Sequence, residues 1–109
     1  MLALLAAGCG GEEPRLPKAL AAQLAARVDS TAAQLESGAA CTARGDAAAI
    51  QRQAIGAINS GRVPTELQEE LLGRVNALLA AISCPATDAD DGAAEHARAL
   101  SGWLLEQSG

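Results

Sequence analysis

Three stretches of this chain repeat aliphatic residues at intervals of three and four, and each stretch stops at glycine or proline. Leu16, Leu20, Leu24, Val28 and Leu35, with Ala32 between, make the first stripe. Ile50, Ala54, Ala57 and Ile58 make the second, and Leu67, Leu71, Leu72, Val75, Leu78, Leu79 and Ile82 the third and broadest. This spacing follows the turn of a helix and not the alternation of a strand. The connections between stretches are short, which favours antiparallel neighbours. The expected fold is therefore all-α: an antiparallel up-down-up three-helix bundle, followed by one C-terminal helix.

Local signals set the expected boundaries. Pro17 suits the first turn of the first helix, and Gly38 suits its stop. Gly45-Asp46 predicts a turn in which Asp46 caps a second helix from about Ala47 to Ser60, ending at Gly61. Gly56 lies off that helix's apolar stripe and costs up to ~1 kcal/mol relative to alanine. Thr65 and Gln68 have the spacing of a capping box. Glu66, Glu69 and Glu70 put negative charge where the helix dipole favours it. Glu70 and Arg74 form a favourable i,i+4 pair, and Cys84-Pro85 is the expected end of the third helix. Residues 86–92 read as a solvated acidic stretch. The fourth helix, about Ala93 to Glu106, presents Ala97, Leu100, Trp103 and Leu104 on one side.

The front of the chain carries a different signal. Leu4-Leu5-Ala6-Ala7-Gly8-Cys9-Gly10-Gly11 is a short apolar run that ends in small residues and a cysteine. It resembles the cleavage and acylation box of bacterial lipoprotein precursors. That resemblance implies removal of residues 1–8, a diacylglyceryl anchor on Cys9, and a place on the extracytoplasmic side of a membrane in the bacterial cell envelope. Ala6 stands where leucine is commoner. The first positive charge is Arg15, although a secretory signal puts positive charge before its apolar run. The expectation is that the natural start lies upstream. Gly10-Gly11-Glu12-Glu13-Pro14 then reads as a tether reaching less than roughly 20 Å. A membrane span needs about 20 mostly apolar residues, and no window of the chain offers that. Attachment is therefore expected through lipid, which holds stably when more than one chain is inserted.

Export gives the other two cysteines their meaning. An even pair in a small exported domain points to a disulfide, here Cys41 with Cys84. Cys41 falls just past the expected first helix and Cys84 at the end of the third, at one pole of an up-down-up bundle. Closing that loop is worth about 4 kcal/mol on the chain-entropy account. The remainder of the chain resembles small two-cysteine helical lipoproteins of unknown role in high-GC Gram-positive bacteria, a likeness of pattern that implies no activity. The expected layout is residues 1–8 as a partial signal peptide, 9–14 as tether and 15–84 as disulfide-closed bundle. Residues 85–92 follow as acidic linker and 93–107 as amphipathic C-terminal helix.

Composition bounds the function. The chain has 109 residues, no Phe or Tyr and one Trp, so its core is thin and a covalent staple matters. A net charge of −5 argues against a nucleic-acid partner, which needs clustered cations. Seven arginines against one lysine, with abundant alanine, suggest a GC-rich genome.

Several constellations have bland readings. Asp88, Asp90, Asp91 and Gly92 resemble the start of a calcium loop, but counting from Asp88 the fifth place is Gly92 and the twelfth Ala99, where ligands are needed. Arg44-Gly45-Asp46 is the tripeptide animal integrins recognise, with Asp46 expected to serve as a cap. His96 beside Glu95 has no activated nucleophile or oxyanion site to serve. Neither cysteine has a second ligand at zinc-finger spacing. No catalytic residue, metal site or cofactor is expected.

Trp103 is open to two readings. It supplies core volume, or with Leu100 and Leu104 it offers a face to a partner protein or to lipid. The expected function is a lipid-anchored extracytoplasmic interaction or scaffold protein that is not an enzyme. The alternative is a module binding a small apolar ligand between bundle and fourth helix.

Overall fold

The computed structural model describes residues 14–84 and 90–109. Four helices make up most of them: α1 Lys18–Glu36, α2 Ala40–Asn59, α3 Thr65–Ala81 and α4 Asp90–Glu106. Among the described residues there is no strand beyond one isolated bridge between Leu16 and Ser108.

The helix α1 follows Pro17 and buries Leu20, Ala21, Leu24, Ala25, Val28 and Ala32 along one face. Thr31 is buried with them, its hydroxyl donating to the Arg27 carbonyl at 3.0 Å. Gly38 takes a φ of +88°, where an L side chain is strained, and the Ala39 N–H closes the end on the Gln34 carbonyl at 2.8 Å.

The helix α2 starts seven residues earlier than its turn signal indicates. It begins at Ala40 and runs through Gly45 and Asp46, so Asp46 is an interior residue and caps nothing. Ala40, Ala43 and Ala47 are buried on one face. Cys41, in the first turn, is bonded to Cys84. Burial and that crosslink outweigh the roughly 1 kcal/mol that Gly45 costs inside a helix.

No capping box forms at the start of α3. Thr65 is already helical behind an extended Pro64, and its side chain makes no cap bond. Gln68 donates instead to the carbonyl of buried Val63 at 3.1 Å. The helix ends at Ala81, short of Cys84, because Ile82 turns extended and buries its side chain. The helix α4 begins at Asp90, earlier than the expected Ala93, so it takes in the last residues assigned to the acidic linker.

Each helix packs on its neighbours in the chain, and α1 packs on α4 more extensively than any other pair. The C-terminal helix is thus part of the core. Ala21, Ala25, Ala43, Ala47, Ala54, Ala93 and Ala97 are all buried, and their small size brings helices close enough for a few large residues to fill the centre. Those large residues include Leu20, Leu24, Ile50, Leu71, Leu78, Leu100 and Leu104.

Two devices tie distant parts of the chain. Cys41 and Cys84 form the disulfide, with Cα atoms 4.8 Å apart. At the other, the Leu16 N–H donates to the Gln107 carbonyl at 2.7 Å, and the Gly109 N–H donates to the Leu16 carbonyl at 3.0 Å. Arg15 Nη1 adds a bond to the Glu106 carbonyl at 3.2 Å. Among the described residues no helix is long and apolar enough to cross a membrane.

Candidate functional site

Cys9, the expected lipid attachment point, lies outside the described residues, as do Ala6, Ala7, Gly8 and the tether up to Glu13. The other two cysteines are brought together. Cys41 and Cys84 are both exposed, so the staple closes the surface and not the core. Arg44, one turn after Cys41, reaches across from α2 to the end of α3. Its Nη1 donates to the Ile82 carbonyl at 2.7 Å and lies 3.4 Å from the Leu79 carbonyl. The Leu79 carbonyl also accepts from the Ile82 N–H at 3.3 Å, and a cation at this helix end meets the negative end of the dipole. Arg44 is thereby committed to α3, and the Arg44-Gly45-Asp46 tripeptide sits inside a helix.

The face of α4 that carries Leu100, Trp103 and Leu104 turns inward. Leu100 and Leu104 are fully buried and Trp103 is 7 % exposed. Arg74 of α3 lies over the indole ring, its Cζ 5.1 Å from the centroid. Arg74 is fixed in turn by Glu70 Oε2, at 3.0 Å from Nε and 2.8 Å from Nη2. The three residues singled out for a partner are therefore covered by this chain's own helices. What α4 leaves outside is Leu105, 55 % exposed, while α2 leaves Ile55 at 40 %.

Arg98 of α4 is held to Glu36 of α1 by two bonds, Nη2 to Oε1 at 2.8 Å and Nε to Oε2 at 3.3 Å. The bond from Glu36, its charge and that of Asp29 raise the Arg98 pKa above its ordinary value. A raised cation pKa adds stability that is lost only as pH climbs through it, here beyond any working range. Salt, not pH, is the variable that loosens this pair.

The shallow recesses fall between neighbouring helices. One of ≈ 260 Å³ between α3 and α4 is lined by Gly73, Arg74, Ala77, His96, Ala99 and Leu100. It lies in the gap expected for an apolar ligand between bundle and fourth helix, and Arg74 and His96 share its lining. His96 is exposed there, and no nucleophile joins it in the recess. A groove of ≈ 410 Å³ between α2 and α3 is lined by Ile58, Thr65, Gln68, Glu69 and Leu72. A third recess, ≈ 150 Å³ between α1 and α2, is lined by Arg27, Ser30 and Asp46.

Among the described residues no three His, Cys, Asp or Glu side chains gather to hold a metal ion. Asp88 of the calcium-loop resemblance lies outside those residues. The sequence pointed to the cysteines and Trp103 but not to the bond of Arg44 across to α3, the Arg98–Glu36 pair or the polar α1–α2 recess. The last had a signal, since Gln23, Arg27, Ser30 and Gln34 recur at helical spacing.

Comparison with family models, with curated proteins and with solved structures finds no match to this chain.

Proposed function

We propose that this chain is a lipid-anchored, extracytoplasmic interaction and scaffold protein of the bacterial cell envelope, without catalytic chemistry. The observation that carries the reading is the exposed Cys41–Cys84 disulfide, which fits an oxidising compartment. Ala6-Ala7-Gly8-Cys9 supplies the matching export and anchoring signal. The helices are read as an antiparallel bundle, because Leu16 before α1 bonds Gln107 after α4, and Cys41 at the start of α2 bonds Cys84 after α3.

On this reading the tether enters the fold at Leu16, beside the end of α4, and that pole faces the bilayer. The disulfide pole lies a helix length away, about 28 Å for the 19 residues of α1. With Leu100, Trp103 and Leu104 inside, protein contact would fall on the outer surfaces around Ile55 and Leu105.

The test is an intact mass of the chain, made in a bacterial host with its natural start, with thiols alkylated before and after reduction. The expected product begins at Cys9, carries lipid and releases two thiols only on reduction. An unprocessed chain that alkylates at three cysteines without reduction would overturn the proposal.

The second reading, a module for a small apolar ligand, is supported by the α2–α3 groove, where Ile58 and Leu72 are partly buried. A thermal-shift screen of apolar compounds with no saturable response would count against it.

A further inference from the structure

The α1–α2 seam carries a second stripe on α1, and it is polar throughout: Gln23, Arg27, Ser30 and Gln34, at spacings of four, three and four. Asp46 and Gln53, which face it from α2, are polar as well. Gln53 Nε2 approaches Gln23 Oε1 at 3.5 Å. Two turns along α1 from Gln23, and two turns back along α2 from Gln53, Ser30 and Asp46 line one recess together with Arg27. Arg27 also lines the adjoining opening beside Gln23 and Gln53. The two hollows lie along one seam and share Arg27 as a lining residue.

The chemistry of that seam is incomplete. Arg27 and Asp46 carry opposite charges on its two walls, yet they form no ion pair with each other or with any other described residue. Gln53 Oε1 is buried without a hydrogen-bond partner. A buried acceptor left unmet is costly, and in folded proteins such atoms are met by water or by a ligand. A guanidinium presents a planar fork that matches a carboxylate. Asp46 and the Ser30 hydroxyl accept from an ammonium. Gln53 Oε1, further along, accepts from a hydroxyl or amide. The recess of ≈ 150 Å³ is the size of a cavity that takes about six non-hydrogen atoms.

We propose that the α1–α2 cleft binds a small α-amino acid with a polar side chain. Its carboxylate rests on Arg27, its ammonium on Asp46 and Ser30, and its side chain points toward Gln53. The site is independent of the lipid anchor and adds ligand binding to the scaffold role.

The test is an NMR titration of the full chain with L-serine. Ethanolamine and 3-hydroxypropionate, which each keep only one of its charges, serve as controls. L-Serine should give saturable shifts at the Arg27 Nε–H and the Gln53 side-chain amide. Each control should bind about tenfold or more weakly, the size of one lost charge-assisted hydrogen bond. Arg27→Gln and Asp46→Asn, exposed or half-buried positions that leave the helical spectrum unchanged, should each weaken L-serine by a similar factor. Absence of saturation, controls that bind as well as L-serine, or variants that bind it unchanged would each overturn the proposal and leave a cleft filled by water.

Discussion

Arg44 in α2 donates to the Ile82 carbonyl just beyond α3 at 2.7 Å, so one guanidinium finishes a helix to which it does not belong. A bond from a charged donor is worth about 1.5–3 kcal/mol when sheltered and less at an exposed residue such as Arg44. Arg44→Gln should lower stability by about 1 kcal/mol. Both carbonyl contacts of Arg44, to Ile82 and Leu79, come from the single nitrogen Nη1, so Arg44→Lys, whose ammonium also carries several N–H donors on one nitrogen, should recover much of the loss. Urea unfolding at constant m-value measures both.

Reduction of Cys41–Cys84 should cost far more. The crosslink spans 43 residues of sequence, and the chain-entropy account gives about 4 kcal/mol for such a loop. The Cys41→Ser, Cys84→Ser double variant should match the reduced protein in melting temperature. A reduced protein as stable as the oxidised one would show that helix packing alone holds the fold.

Trp103 separates core from contact surface. Because it is 7 % exposed and packed with Leu100 and Leu104, Trp103→Ala should lower stability by about 3–5 kcal/mol. Its fluorescence, the only indole signal in the chain, should shift to longer wavelength on unfolding. A variant that melts with the parent would restore the reading of a surface residue.

Two glycines predict effects of opposite sign. Gly61 has a φ of +79°, and Gly61→Ala should destabilise by about 1–2 kcal/mol through the left-handed penalty. Gly56 is helical, with nothing within 4 Å of an added Cβ. Gly56→Ala should therefore stabilise by about 0.5–1 kcal/mol. Thermal melts of the two single variants should move in opposite directions.

The helical periodicity, the stops at Gly38 and Gly61, the Glu70–Arg74 pair and the cysteine partnership were all readable from the sequence. The reason is that each depends on residues close in the chain or, for Cys41 and Cys84, on the pair that remains once Cys9 is set aside as the expected anchor. Asp46 misled because a Gly-Asp pair signals a turn only when nothing downstream rewards helix, and here Ala43, Ala47 and the disulfide do. Thr65 misled because the helix starts one residue early, with extended Pro64 in the cap position and Thr65 already helical. The packing of α4 on α1 was not legible. It depends on Leu16 meeting Gln107 and Arg98 meeting Glu36, contacts across more than half the chain that no local spacing encodes. The polar stripe of α1 was written at helical spacing, but its meaning needed Gln53 and Asp46 of another helix beside it.

The disulfide also sets how the molecule answers to force. A pull applied before Leu16 and after α4 meets the main-chain bonds of Leu16 first, and these join the two ends that are being parted. Once they give, α1 and α4 unravel, but the 43-residue span between Cys41 and Cys84 stays closed. About 140–155 Å of contour is thereby withheld from extension. Stretched in oxidising surroundings, the chain would lengthen by the segments outside the loop and stop, and adding reductant would release the rest.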